Sequence, residues 1–123
     1  MKYVLMFIET EEFAKEFAAL GPGEQEEAYR RVYQWFEDHK DKITDRGSKL
    51  QGPETATTVR SGENGSPVVV DGPYSEAKEA IGGFSVIDVE SLDAALELAR
   101  SWPSLGFPGI AVEVRPIVEH RMD

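Results

Sequence analysis

Between two apolar runs, the stretch from Asp71 to Phe84 gathers a tight turn, three carboxylates, one lysine and a glycine pair: Asp71-Gly72-Pro73-Tyr74-Ser75-Glu76-Ala77-Lys78-Glu79-Ala80-Ile81-Gly82-Gly83-Phe84. Two kinds of chemistry are open to these residue types. A partly buried Asp71 would have its pKa raised into a range useful for acid/base work. Lys78 would neutralise a neighbouring carboxylate or a bound anion, with Tyr74, Glu76 and Glu79 as further ligand contacts. Arg115, placed between Val114 and Pro116, adds a guanidinium suited to bidentate capture of an anion, and Glu113 stands beside it. Each feature also has a plain structural reading. Asp71-Gly72-Pro73 is good turn chemistry, Glu76, Lys78 and Glu79 make a solvated loop, and Arg115 pairs with Glu113 or with a second subunit.

Other residues contribute less. His39 falls in a helical stripe, where a packed and hydrogen-bonded histidine is the simpler reading, and His120 lies in the tail. The chain has no cysteine and two histidines, so it lacks the usual material for a metal centre, and no metal or cofactor is expected. No HExxH, Walker, GxGxxG or GxSxG string occurs.

The elements that must position these groups follow from periodicity. Tyr3 to Ile8 is apolar at every position, so a strand there needs cover on both faces. Phe13, Phe17 and Leu20 recur at helical spacing behind a Thr10 cap, and Gly21-Pro22-Gly23 ends that short helix. A long amphipathic helix is predicted from Glu24 to Arg46, with Tyr29, Val32, Tyr33, Trp35, Phe36 and Ile43 on its apolar stripe and Gly47 as a left-handed cap. Lys49-Leu50-Gln51 reads as a short strand. Thr55–Arg60 and Pro67–Val70, joined through Asn64-Gly65, read as a hairpin. A strand from Phe84 to Val89, a helix capped by Ser91 and stopped by Pro103, a Pro/Gly-rich loop from Trp102 to Gly109 and a strand from Ile110 to Val118 complete the chain.

With the hairpin set aside, the order strand, helix, strand, strand, helix, strand predicts an α+β fold. It is the ferredoxin-like βαββαβ sandwich, with both helices on one sheet face and an inserted β-hairpin. The other face would then be covered by a second copy, making a homodimer. At 123 residues, with 41% hydrophobic and 29% charged residues, a single domain over 1–123 is expected. A net charge of −10 without a basic stripe disfavours nucleic acid and anionic membrane as partners. The apolar start is too short to span a bilayer, so a cytoplasmic protein is expected.

Asp71-Gly72-Pro73-Tyr74, followed by Glu76, Lys78-Glu79 and Gly82-Gly83-Phe84, resembles the signature of the YCII-related proteins of the DGPF type, with Tyr74 in place of phenylalanine. The likeness extends from Met1-Lys2-Tyr3 through Thr55–Arg60 to Val112-Glu113-Val114-Arg115-Pro116. It implies a dimeric α+β barrel and, for some relatives, association with extracytoplasmic-function sigma factors. The His/Asp pair of the wider group has no histidine counterpart here, which weakens a hydrolase or lyase reading by analogy. Two functions follow. One is a small enzyme using acid/base chemistry on a small organic molecule, neutral or anionic, in a cleft at the dimer sheet face, with Asp71, Lys78 and Arg115 leading. The alternative is a non-catalytic ligand-binding or regulatory module linked to sigma-factor control. A cofactor-free monooxygenase rests on fold analogy alone.

Overall fold

A computed structural model of the chain describes residues 1–74 and 79–119. The first strand, β1 (Lys2–Thr10), alternates as a sheet residue run must: Tyr3, Leu5 and Phe7 are buried on one side, while Val4, Met6 and Ile8 are half-buried on the other. The chain turns directly into α1 (Glu11–Ala19), where the Thr10 hydroxyl accepts from the Phe13 amide at 3.2 Å. Gly21 and Pro22 then open α2 (Pro22–Asp38) rather than a loop, Pro22 sitting where a missing N–H costs nothing.

Helix α2 is shorter than its amphipathic pattern predicts. It stops at Asp38 with His39 as its cap, and Ile43–Lys49 forms strand β2 instead of further helical turns. The cause is tertiary. Ile43 pairs with Ile87 in the sheet, and a β-branched residue gains more there than on a helix end. No basic residue falls in the last turn of α2. Gly47 does take a positive φ of 70°, but inside β2, where a β-carbon would stand 1.7 Å from the Phe84 carbonyl oxygen.

The hairpin β3 (Thr57–Ser61) and β4 (Pro67–Asp71) is a separate two-stranded sheet, turned at Asn64 and Gly65, both with positive φ. Strand β5 (Glu79–Asp88) begins five residues earlier than Phe84, α3 (Leu92–Arg100) is capped by the Ser91 hydroxyl at 3.2 Å from the Ala94 amide, and β6 is Ala111–Pro116. The main sheet runs β2-β5-β1-β6 with antiparallel neighbours throughout, the order of the ferredoxin-like plan.

One sheet face carries the core: Tyr3, Leu5, Phe7 and Ile87 pack with Trp35 of α2 and with Ala95, Leu98 and Ala99 of α3. Trp102, which opens the Pro/Gly-rich loop, is buried here as well. Its ring stacks on Phe7 at 3.9 Å and meets Trp35 edge-on at 5.0 Å. Tyr29 and Tyr33, expected on the core stripe of α2, are exposed. The opposite sheet face presents Val4, Met6, Phe84 and Val86, half-buried, with Glu113 and Arg115 of β6 beside them in register. Among the described residues no helix is long and apolar enough to cross a membrane.

Candidate functional site

A cavity of about 290 Å³ opens on the helix-covered side of the sheet, at the end where β1 leads into α1. Its walls are aromatic. Phe13 and Phe17 come from α1, Tyr29 and Phe36 from α2, Phe7 and Trp102 from the stacked pair, and Phe107 from the loop after α3. Phe107 meets Phe13 edge-on at 5.5 Å and Phe17 meets Tyr29 at 5.3 Å, so α1, predicted from the spacing of Phe13 and Phe17, serves as one wall.

The sheet end of the cavity is polar. Continuing the alternation of Tyr3, Leu5 and Phe7, Glu9 points to the helix side, and its carboxylate accepts from the Lys49 ammonium of β2 at 2.8 and 3.3 Å. These two side chains meet across β5, which lies between their strands. They can do so because β5 carries Gly82 and Gly83 at that point, with a register shift between Phe7 and Ile8. A β-carbon on Gly82 would lie 2.4 to 2.6 Å from the Glu9 carboxylate group. On Gly83 it would press on the Ser48 carbonyl at 3.0 Å. Arg46, also at the cavity, is tied to Glu37 of α2 at 3.1 Å, and that hydrogen bond, helped by one from Tyr33, holds the Glu37 carboxyl below the usual carboxylate range.

The residues singled out in the sequence lie elsewhere. Asp71 ends β4 opposite Thr57, exposed. Tyr74 is exposed too, with the Arg60 guanidinium over its ring at 5.0 Å and donating to its carbonyl at 2.6 Å. Glu79 opens β5 opposite Thr10. Glu76 and Lys78 lie outside the described residues, as does His120. Glu113 and Arg115 are brought together as an ion pair on the outer sheet face, and none of these described candidates lines the cavity. Of the described residues in the 71–84 stretch, Gly82, Gly83 and Phe84 reach it. In the sequence Lys49 is legible only as the start of a short strand, and Glu9 stands just past the apolar run; the signal that marks Glu9 is an acid on the core parity of that run.

Residues 1–121 match the family model of the YCII-related domain. The chain belongs to the YCII-related family. This YCII-related protein is 38% identical over 69 residues to an uncharacterized protein of Rhizobium meliloti (strain 1021), a match covering 56% of each chain. A solved structure of similar fold is the 5-chloro-2-hydroxyhydroquinone dehydrochlorinase TftG of Burkholderia phenoliruptrix AC1100, in complex with 2,5-dihydroxybenzoquinone. Its TM-score is 0.58 at 15% identity, over 98% of the YCII-related chain and 96% of the other. That likeness is one of fold.

Proposed function

We propose that this protein is a small enzyme acting by acid/base chemistry on an uncharged, ring-sized organic molecule held in the helix-side cavity. The observation that carries this reading is the aromatic-walled cavity with a paired carboxylate at its sheet end. Its volume of about 290 Å³ stands at the small end of ligand pockets, which run from roughly 300 to 1,000 Å³. Charge balance supports a neutral occupant over an anionic one: Lys49 is matched by Glu9 and Arg46 by Glu37, so a buried anion would meet little unmatched positive charge. A ring compound is also what the solved structure of similar fold carries.

The protein works in this reading as a homodimer through the outer sheet face, where Val4, Met6, Phe84 and Val86 form a half-covered apolar strip. Glu113 and Arg115 would then border the contact, and Asp71, Lys78 and Arg115 are the polar groups proposed for a second cleft between subunits. A non-catalytic regulatory module is the second reading. It draws support from the exposed Val59 and Val69 of the hairpin, which would suit a protein partner.

The test is a titration of neutral and anionic ring compounds, phenol, hydroquinone and benzoate among them, followed by tryptophan fluorescence, because Trp102 lines the cavity. Saturable quenching by the neutral rings, lost when Phe17 is replaced by a bulky charged residue, is the expected result. Benzoate binding more tightly than phenol would reverse the charge argument, and no saturation by any ring up to millimolar concentration would sink the cavity as a binding site.

A further inference from the structure

We propose that Glu9 is the proton acceptor of the cavity, and that its pairing with Lys49 restricts the occupant to a neutral ring bearing a hydroxyl donor, a phenol or enol in chemical class. This rests on the cavity reading above and goes further, to a residue and a substrate class. The carboxylate lies on bare backbone because Gly82 has no β-carbon. It is also the inner member of its pair: the Glu9 side chain is 26% exposed and that of Lys49 60%, so the ammonium stands at the rim and the carboxylate within. Lys49 donates to both oxygens, yet a carboxylate accepts about four hydrogen bonds, leaving capacity for a ligand hydroxyl.

Few other charges face this group. Arg46, from the same strand as Lys49, is engaged by Glu37 of α2, and Tyr29 stands on the α2 wall. Helix α1 contributes Phe13 and Phe17, which carry no charge, and the loop after α3 contributes Ser104 and Phe107. Among the described residues lining the cavity, Glu9 is the one carboxylate.

The step balances within the pair. The ligand O–H bond breaks and its proton passes to a Glu9 oxygen, while the electron pair stays on the ligand oxygen as phenolate or enolate. Glu9 becomes neutral as the ligand becomes an anion, so the Lys49 ammonium exchanges one partner for another and the charge of the site is unchanged. A lone carboxylate would lack that counter-charge at the moment the oxyanion forms. Lys49 is in this scheme a positioning residue that becomes the electrostatic partner of the product.

Calorimetric titration with 4-nitrophenol and its methyl ether, 4-nitroanisole, separates the possibilities, since only the phenol can donate and only the phenol ionises. The native protein should bind the neutral phenol about tenfold more tightly than the ether, the worth of one hydrogen bond to a charged acceptor. Binding should fade as pH rises through the phenol's own pKa, because the phenolate is repelled by Glu9. In Glu9→Gln, Lys49 has lost its counter-charge, so the phenolate should bind at least as well as the phenol and the pH profile inverts. In Lys49→Met, neutral binding should persist while the phenolate is rejected more strongly. Circular dichroism identifies a variant that has failed to fold, and the comparison of phenol with ether in the native protein then decides alone. Equal affinity for phenol and ether, or a pH profile unmoved in a folded Glu9→Gln, overturns the inference and leaves the cavity reading standing. Failure of the native protein to bind either compound overturns both.

Discussion

Gly47 and Gly82 both occupy places where a β-carbon would collide, but what each would strike differs in stiffness. At Gly47 the obstacle is the Phe84 backbone carbonyl, and the backbone φ of 70° adds its own strain for any other residue. At Gly82 it is the far end of the Glu9 side chain, which can swing aside. Gly47→Ala should therefore cost about 3 kcal/mol, and Gly82→Ala under about 1 kcal/mol, while the latter breaks the Glu9–Lys49 pair. Urea denaturation midpoints measure the first contrast, and loss of the preference for phenol over its ether measures the second. Equal stability losses in the two variants would mean that Glu9 is held far more rigidly than its one ion pair suggests.

Helix α2 illustrates how an element ends where its partners dictate. Its exposed face is laced by Glu27, which accepts from Arg30 at 2.8 and 2.7 Å and from Arg31 at 3.3 Å. The Arg30 hydrogen bonds are the chief reason that the Glu27 carboxyl is lowered from its ordinary 4.5 to about 2. A carboxyl depressed in the folded state contributes stability above its unfolded pKa and loses it as pH falls through the folded one. Glu27→Gln should thus melt slightly below the native protein at neutral pH. The gap should close between about 4.5 and about 2, and added salt should narrow it, because the group is at the surface. Thermal melts across that range would refute the assignment if the gap widened on acidification. Helix α1 is simpler: its Thr10 cap and its two phenylalanines are local features, and both formed as their spacing implied.

At the scale of the whole molecule, one sheet face is covered by helices and the other is not. The uncovered face aligns Arg115, Val4 and Val86 in one row and Glu113, Met6 and Phe84 in the next. An apolar strip edged by an ion pair suits a two-fold contact, since each row can meet its own copy. Sedimentation at micromolar concentration should return a dimer, and Arg115→Glu, which sets a second acid beside Glu113 on that face, should shift it toward monomer. A native monomer, well folded at that concentration, would remove the outer face as an interface. The separate hairpin has its ends joined by a hydrogen bond from the Gly72 amide to the Ala56 carbonyl at 2.9 Å, which fits its reading as an insertion rather than a part of the core sheet.

The sequence by itself determined the elements whose signals are local. The unbroken apolar run from Tyr3 to Ile8, the caps at Thr10 and Ser91, the turn at Asn64-Gly65 and the order of strands and helices sufficed for the ferredoxin-like plan, because each reflects contacts within a few residues or the composition of one buried segment. Tertiary structure decided the rest. It ended α2 at Asp38, where helical periodicity continued to Ile43, because pairing with Ile87 outweighed propensity. It drew Trp102 out of a Pro/Gly-rich loop onto Phe7. It also joined Glu9 to Lys49, 40 residues apart, across a strand whose Gly82 comes from a third place in the chain. Sequence spacing carries no record of which strands become neighbours, and a site assembled from three of them is visible only once sheet order is fixed.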